Sequence, residues 1–284
     1  MKKIFLLVVV FVLNSQIVCA ESNLLNANWY RDKTVENVQK ELDNGVDVNA
    51  RDNYGMTILK NASYYSTPDI IKLLINAGAN VNAQDKYGNT ALMSATSYNS
   101  SKVVKVLIEA GADVNIKNSE KITALMNITK YSDPEVAKVL VDSGADVKVK
   151  DNFENTTLIY AAKSGHPEVV KMLLDAGVDV NAVNTDGSTA LIYATKYGNS
   201  EVVKILLNAG ADVNIVNKYG KTAWYNAKKR EYSEIEKILR KAGAKTGMQT
   251  INLYINKVAE VGNVLVKLLT FHVDWYEKCM EDCY

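Results

Sequence analysis

His166 and His272 are the only histidines of this 284-residue chain, and Cys19, Cys279 and Cys283 are its only cysteines. A zinc centre needs three or four such ligands converging on one point. Two histidines 106 residues apart form no cluster of ligand spacing. Carboxylates recur as Asp113, Asp146, Asp179 and Asp212, each 33 residues after the last. General acid–base catalysis needs a unique pair held in one site, whereas a carboxylate returning at a fixed period belongs to a repeated loop. Glycine motifs that cradle phosphate are missing. These residue types imply no catalytic site, no metal and no cofactor, and direct attention to binding.

Charge narrows the partner. Lys and Arg number 33 against 32 Asp and Glu, a formal net charge of +1, and no long basic run exists. That balance offers no electrostatic footprint for nucleic acid. Four Asn-x-Ser/Thr sequons, at Asn61, Asn99, Asn127 and Asn155, matter only in a eukaryotic secretory pathway.

The chain starts Met1-Lys2-Lys3, continues through an apolar run from Ile4 to Leu13, and reaches Val18-Cys19-Ala20 before Glu21. This layout is that of a cleavable secretion signal, with cleavage expected after Ala20. The apolar run is short for a membrane span, and Gln16 and Val18 fit a lipid-attachment site at Cys19 poorly. Losing Lys2 and Lys3 leaves 31 basic against 32 acidic residues, a net charge of −1. The location expected is therefore exported, periplasmic or secreted, with no stable membrane span after cleavage. The short Lys-Lys signal points to a bacterium. Only Cys279 and Cys283 then remain, both within the last six residues, so the body of the chain must be held by packing.

Single residues of this chain recur at one fixed spacing. Glycine stands at 45, 78, 111, 144, 177, 210 and 243, an unbroken step of 33, usually within Gly-Ala-Asp-Val-Asn or a close variant. A second motif, Asp85-Lys86-Tyr87-Gly88-Asn89-Thr90-Ala91-Leu92, keeps the same step, with Thr57, Thr123, Thr156, Thr189 and Thr222 in register with Thr90. Gly88 suits the turn before a helix, Thr90 a helix start, and Gly111 a left-handed helix end. Each repeat reads turn, helix, loop, helix, glycine.

These motifs and their period resemble the ankyrin repeat family over roughly residues 34 to 245. The resemblance implies an all-α solenoid of helix-turn-helix units joined by β-turns, each repeat touching only its neighbours in an elongated, curved domain. It departs from the family pattern in two ways. The familiar Thr-Pro-Leu-His becomes Thr90-Ala91-Leu92-Met93, with Lys60, Met126, Ile159, Ile192 and Tyr225 at the His position. Lys121 and Glu154 replace the turn glycine, so the third and fourth repeats are expected to have the least regular hairpins. His166 resembles the family's structural loop histidine.

In each second helix two apolar rows precede the glycine, as in Val169, Val170, Leu173 and Leu174. Ahead of Gly45 one row turns polar (Asn37, Glu41) while Val38 and Leu42 remain; ahead of Gly243 the other does (Glu236, Arg240) while Ile235 and Leu239 remain. Terminal units of a solenoid carry such polar faces. The expected organisation is a signal over 1–20, an N-terminal segment and capping half-repeat over 21–51, and repeats 52–84, 85–117, 118–150, 151–183, 184–216 and 217–245. A C-terminal helical extension follows over 246–284.

By the resemblance, partner contacts come from hairpin tips and first-helix ends on the concave side. The tips are Tyr54, Tyr87, Glu120, Phe153, Asp186 and Tyr219, and the helix positions include Tyr64, Tyr65, Tyr98, Tyr131 and Tyr197. Nine of these eleven are aromatic, which suits a contact surface because tyrosine joins area to a polar handle at low entropy cost. Lys86, Lys163, Lys196, Lys218, Lys221, Lys229 and Arg230 lie beside them. Tyr160 and Tyr193, each preceding a small Ala, read as structural.

From Met248 to Cys283 the repeat stops, and Ile251, Tyr254, Val258, Val261, Leu265, Leu268, His272, Trp275 and Cys279 recur at steps of three and four. Such a stripe suits a helix docked on its own stack or self-association through 248–283. The function expected is non-catalytic binding of a protein through a tyrosine-rich face. A periplasmic inhibitor or immunity protein is the variant, and an enzyme with a grafted site the alternative of another class.

Overall fold

The computed structural model describes residues 23–98, 101–128 and 132–246. The secretion signal expected over 1–20, Tyr131, Asn99 and the extension beyond Thr246 lie outside the described residues. The chain divides into two compact units, residues 1–146 and 147–284. The described residues are helices and turns, with two isolated antiparallel bridges, Arg51 to Thr57 and Lys150 to Thr156.

Every hairpin is built by one side chain. The residue opening it, Asp52, Asp85, Asn118, Asp151, Asn184 or Asn217, uses Oδ1 to accept the N–H groups two and four residues on, at 2.8–3.0 Å. Asp and Asn share that acceptor oxygen, so they exchange freely here. The turn residue is left-handed in all six hairpins: Gly55, Gly88, Gly187 and Gly220 at φ 71° to 81°, Lys121 at 62° and Glu154 at 60°. The irregularity expected in the third and fourth hairpins is therefore absent. Asn118 N–H donates to Ile122 O at 3.0 Å and Asp151 N–H to Asn155 O at 3.1 Å, as Asp85 N–H does to Asn89 O at 3.0 Å. The two side-chain residues accept strain of about 1–2 kcal/mol each instead of distorting the turn.

A threonine opens the segment after each hairpin, a first helix in every repeat but the third. The hydroxyls of Thr57, Thr90, Thr123, Thr156, Thr189 and Thr222 accept the N–H three residues on, at 3.1–3.5 Å, satisfying a donor the helix leaves orphaned. The first helices are Ile58–Tyr65 and Ala91–Tyr98 in the first unit, and Thr157–Ser164, Ala190–Lys196 and Ala223–Lys229 in the second. In the third repeat residues 124–127 make a hydrogen-bonded turn in place of a helix. Ile128 stands in the register that Ala62, Ala95, Ala161, Ala194 and Ala227 hold in the other first helices. Ile128 is itself buried.

The second helices are Val35–Asp43, Pro68–Asn76, Ser101–Glu109 and Pro134–Asp142 in the first unit, and Pro167–Asp175, Ser200–Asn208 and Ser233–Lys241 in the second. Each ends at one of the 33-spaced glycines, all at φ between 75° and 93°. Gly78 N–H bonds Ile75 O at 2.9 Å and Ala79 N–H bonds Leu74 O at 3.0 Å, closing the helix in the left-handed manner only glycine adopts without strain. An asparagine in the next loop links successive repeats. Asn82 Nδ2 donates to Gly111 O at 2.9 Å while its Oδ1 accepts Asp113 N–H at 2.8 Å, and Asn49, Asn115, Asn181 and Asn214 repeat the pair. Lys148 occupies that register in the fourth loop.

The apolar rows form the core. Ile70, Ile71, Leu74, Val103, Val104 and Leu107 in the first unit are fully buried, as are Val169, Val170, Leu173, Val202, Val203 and Leu206 in the second, each large side chain contributing about 1.5–3 kcal/mol. At the ends Val38, Ile235 and Leu239 are buried, while Asn37 is exposed and Arg240 is exposed and paired with Glu236 at 2.9 Å. Ahead of the first full repeat, two 3-10 helices, Asn23–Leu25 and Ala27–Asp32, pack on the helix Ile58–Tyr65. Buried Leu24 and Tyr30 fill that contact, with the Tyr30 hydroxyl donating to Leu24 O at 2.9 Å and Asn61 Nδ2 to Leu25 O at 2.8 Å.

One ion pair lies inside the first unit. Lys60 Nζ is 3.2 Å from Asp85 Oδ2, and both side chains are nearly inaccessible, at 4% and 1%. Burial acts first on Asp85 and raises its pKa; the Asn89 and Tyr87 N–H groups and the Lys60 ammonium more than reverse this and leave the carboxyl below its ordinary value.

Candidate protein-binding surface

The hairpins lie edge to edge within each unit. Lys86 N–H donates to Tyr54 O at 3.0 Å and Ser119 N–H to Tyr87 O at 2.9 Å in the first. Thr185 N–H donates to Phe153 O at 2.9 Å and Lys218 N–H to Asp186 O at 2.8 Å in the second. With main chains so joined, the tip side chains point outward. Tyr54, Tyr87, Phe153 and Tyr219 are 58–60% exposed, and Glu120 is also exposed.

In the first unit Tyr64, Tyr65 and Tyr98 come together at the ends of two first helices. Ring centroids are 5.2 Å apart for Tyr64 and Tyr98, 6.1 Å for Tyr64 and Tyr65, and 6.3 Å for Tyr65 and Tyr98. Rings already in contact leave no cage for a cation ligand; they make a firm aromatic ledge. Tyr98 is 64% exposed, while Tyr64 and Tyr65 are half-buried. Tyr64 lies against Lys60, whose Nζ is 3.4 Å from its hydroxyl, and Arg31 Cζ stacks 4.1 Å over the Tyr65 ring. Arg31 precedes the repeats, and no periodicity in the sequence singles it out.

In the second unit Tyr197 is exposed, with Lys196 Nζ 5.7 Å from its ring centroid and equally far from that of Tyr193. Tyr219 carries Lys218 at 5.1 Å and Lys221 at 5.6 Å. The Asp186 carboxylate pairs with Lys218 and holds that ammonium above its ordinary pKa. Tyr160 donates to Asp151 Oδ2 at 2.8 Å, and Tyr193 accepts from Asn184 Nδ2 at 3.2 Å, so both serve the hairpin bases as expected. A depression of about 40 Å³ opens beside them, lined by Asn155, Ile159, Tyr160, Lys163 and Tyr193.

Among the described residues no group of three His, Cys, Asp or Glu is placed to hold a metal ion, and no helix is long and apolar enough to cross a membrane. His166 is buried at the start of the helix Pro167–Asp175. Three sequon amides are engaged: Asn61 as above, Asn127 with Met93 O at 2.7 Å, and Asn155 with Asp151 Oδ2 at 2.9 Å.

The family model for ankyrin repeats matches in three copies, over residues 28–118, 112–184 and 176–250. This chain belongs to the ankyrin repeat family. Comparison with curated proteins found no match. Ankyrin repeats generally mediate protein–protein interaction and are typically non-catalytic. The aromatic tips and helix ends lie at the ankyrin positions named above, in each unit separately.

Proposed function

We propose that this chain is an exported ankyrin scaffold that binds a protein partner through the tyrosine-rich hairpin and first-helix side of its repeats, without catalysis. The observation carrying this reading is the distribution of exposed large apolar side chains. Among the described residues they are Tyr54, Tyr87, Tyr98, Phe153, Val183, Tyr197 and Tyr219. All lie on hairpins, at their entry or at first-helix ends, and none on a second helix. Apolar side chains displayed on hairpins and first-helix ends, beside cations, are the composition of a contact surface. Export rests on the signal layout of residues 1–20.

The test is comparative capture of partners by the parent chain and by a variant with Tyr54, Tyr87, Tyr98 and Phe153 all changed to Ala. These rings are exposed, so the variant keeps its fold, checked by circular dichroism. Loss of the partners is the expected result. Retention of every partner would show this side to be the wrong surface.

A further inference from the structure

The second unit carries its cations in a different arrangement from the first. Its three first helices, Thr157–Ser164, Ala190–Lys196 and Ala223–Lys229, contain no acidic residue. Lys163, Lys196 and Lys229 follow one another at the repeat period, with Arg230 next in line. A cation in the last helical turn is favoured by the helix dipole, but the dipole does not demand one: in the first unit the same register holds Tyr64 and Ser97 before Lys130.

None of Lys163, Lys196, Lys229 and Arg230 has an ion-pair partner among the described residues. Most carboxylates of this side are committed elsewhere: Glu154 to Lys150 at 3.0 Å, Asp186 to Lys218, and Asp151 to the Tyr160 hydroxyl. Glu231 is the one left over. The second helices of the same unit are balanced. They carry Lys171, Lys204, Lys237, Arg240 and Lys241 against Glu168, Asp175, Glu201, Glu234 and Glu236.

From this charge complementarity we infer that the first-helix side of the second unit binds an acidic segment of the protein partner, its carboxylates meeting Lys163, Lys196 and Lys229 in turn. The inference rests on the protein-binding reading above and names the partner's chemistry. Ala190–Lys196 packs on both neighbouring first helices, and packed helices stand about 8–10 Å apart. An extended chain rises about 3.3 Å per residue. Acidic residues every third position match the spacing of the lysines. The depression beside Lys163 receives a carboxylate end, with the Tyr193 hydroxyl as donor. That hydroxyl accepts from Asn184 and keeps its own proton for a ligand. Burial, the largest influence on it, raises its pKa and keeps the phenol protonated; the Asn184 bond acts the other way, and the Asp186 and Asp151 charges reinforce burial.

The probe is a short fluorescein-labelled polyglutamate peptide, read by fluorescence anisotropy with the 284-residue chain. Two variants are compared, K163Q/K196Q/K229Q on the first helices and K171Q/K204Q/K237Q on the second, both matched to the parent by circular dichroism. The expected result is saturable binding at about 20 mM salt that fades by about 300 mM. The first variant should weaken it about tenfold and the second less than about twofold. Absence of saturable binding at low salt, or equal weakening by both variants, would overturn the inference. So would tighter binding of an oligodeoxythymidine of equal charge, which would assign the surface to nucleic acid. Loss of partners from the four-aromatic variant alongside a failed peptide titration would leave protein binding standing and remove only the acidic partner.

Discussion

Replacing Asp85 by Asn removes one charge from a buried pair and leaves the hairpin it opens intact. Asn118, Asn184 and Asn217 already do the same work with an amide oxygen, accepting the two turn N–H groups at 2.9–3.0 Å. What is lost is the partner of Lys60, whose ammonium then lies buried without a counter-charge. Breaking such a pair from one side costs about 3 kcal/mol or more. With a urea dependence of about 2 kcal/mol per molar, the midpoint falls by about 1.5 M. K60M should cost less, since Asp85 keeps the Tyr87 and Asn89 N–H groups.

The double variant K60M/D85N reproduces a combination the chain uses elsewhere, Met93 with Asn118 in the corresponding registers, and should return to within about 1 kcal/mol of the parent. The pH dependence has a definite sign. Asp85 is held below its ordinary value when folded, so its contribution is complete above the unfolded carboxylate range near about 3.9 and is lost as pH falls through the lower folded value. The gap between parent and D85N should be constant from about pH 6 to about pH 8 and close in acid. Urea titrations followed by circular dichroism measure all of this. A D85N cost below about 1 kcal/mol, or a double variant no better than D85N, would refute the assignment of a stabilising buried pair.

Two further outcomes test the turn geometry. Gly88→Ala meets both a φ of 81° and backbone, its Cβ only 2.9 Å from Asn118 Cα, whereas Gly111→Ala at φ 88° has nothing within 4 Å. The first should cost about 2–3 kcal/mol and the second about 1–2, and equal denaturation midpoints would contradict the close hairpin approach. Glu154→Gly relieves a left-handed side-chain residue at φ 60° and should stabilise by about 1 kcal/mol, less a few tenths for the exposed pair with Lys150. A lowered melting temperature would be the wrong sign.

The period of 33, the Thr starts, the glycine ends and the polar terminal rows were all legible in the sequence. Each depends on one residue's backbone preference or on spacing along a single helix, and neither needs a neighbour to be defined. The aromatic tips were legible for the same reason, since a tip position follows from counting within a hairpin. The Lys121 and Glu154 departures imply irregular third and fourth hairpins, whereas the structure keeps both regular. Lys121 takes the left-handed turn that glycine takes elsewhere, and the departure of the third repeat lies after its hairpin, in the turn at residues 124–127. Tertiary structure alone decided that Arg31 stacks on Tyr65, that Lys60 reaches Asp85, and that Tyr64 and Tyr65 are half-buried behind Tyr98. Those contacts join residues 25 to 34 positions apart on different elements. Their geometry follows from how one repeat settles on the next, which no property of either residue alone can specify.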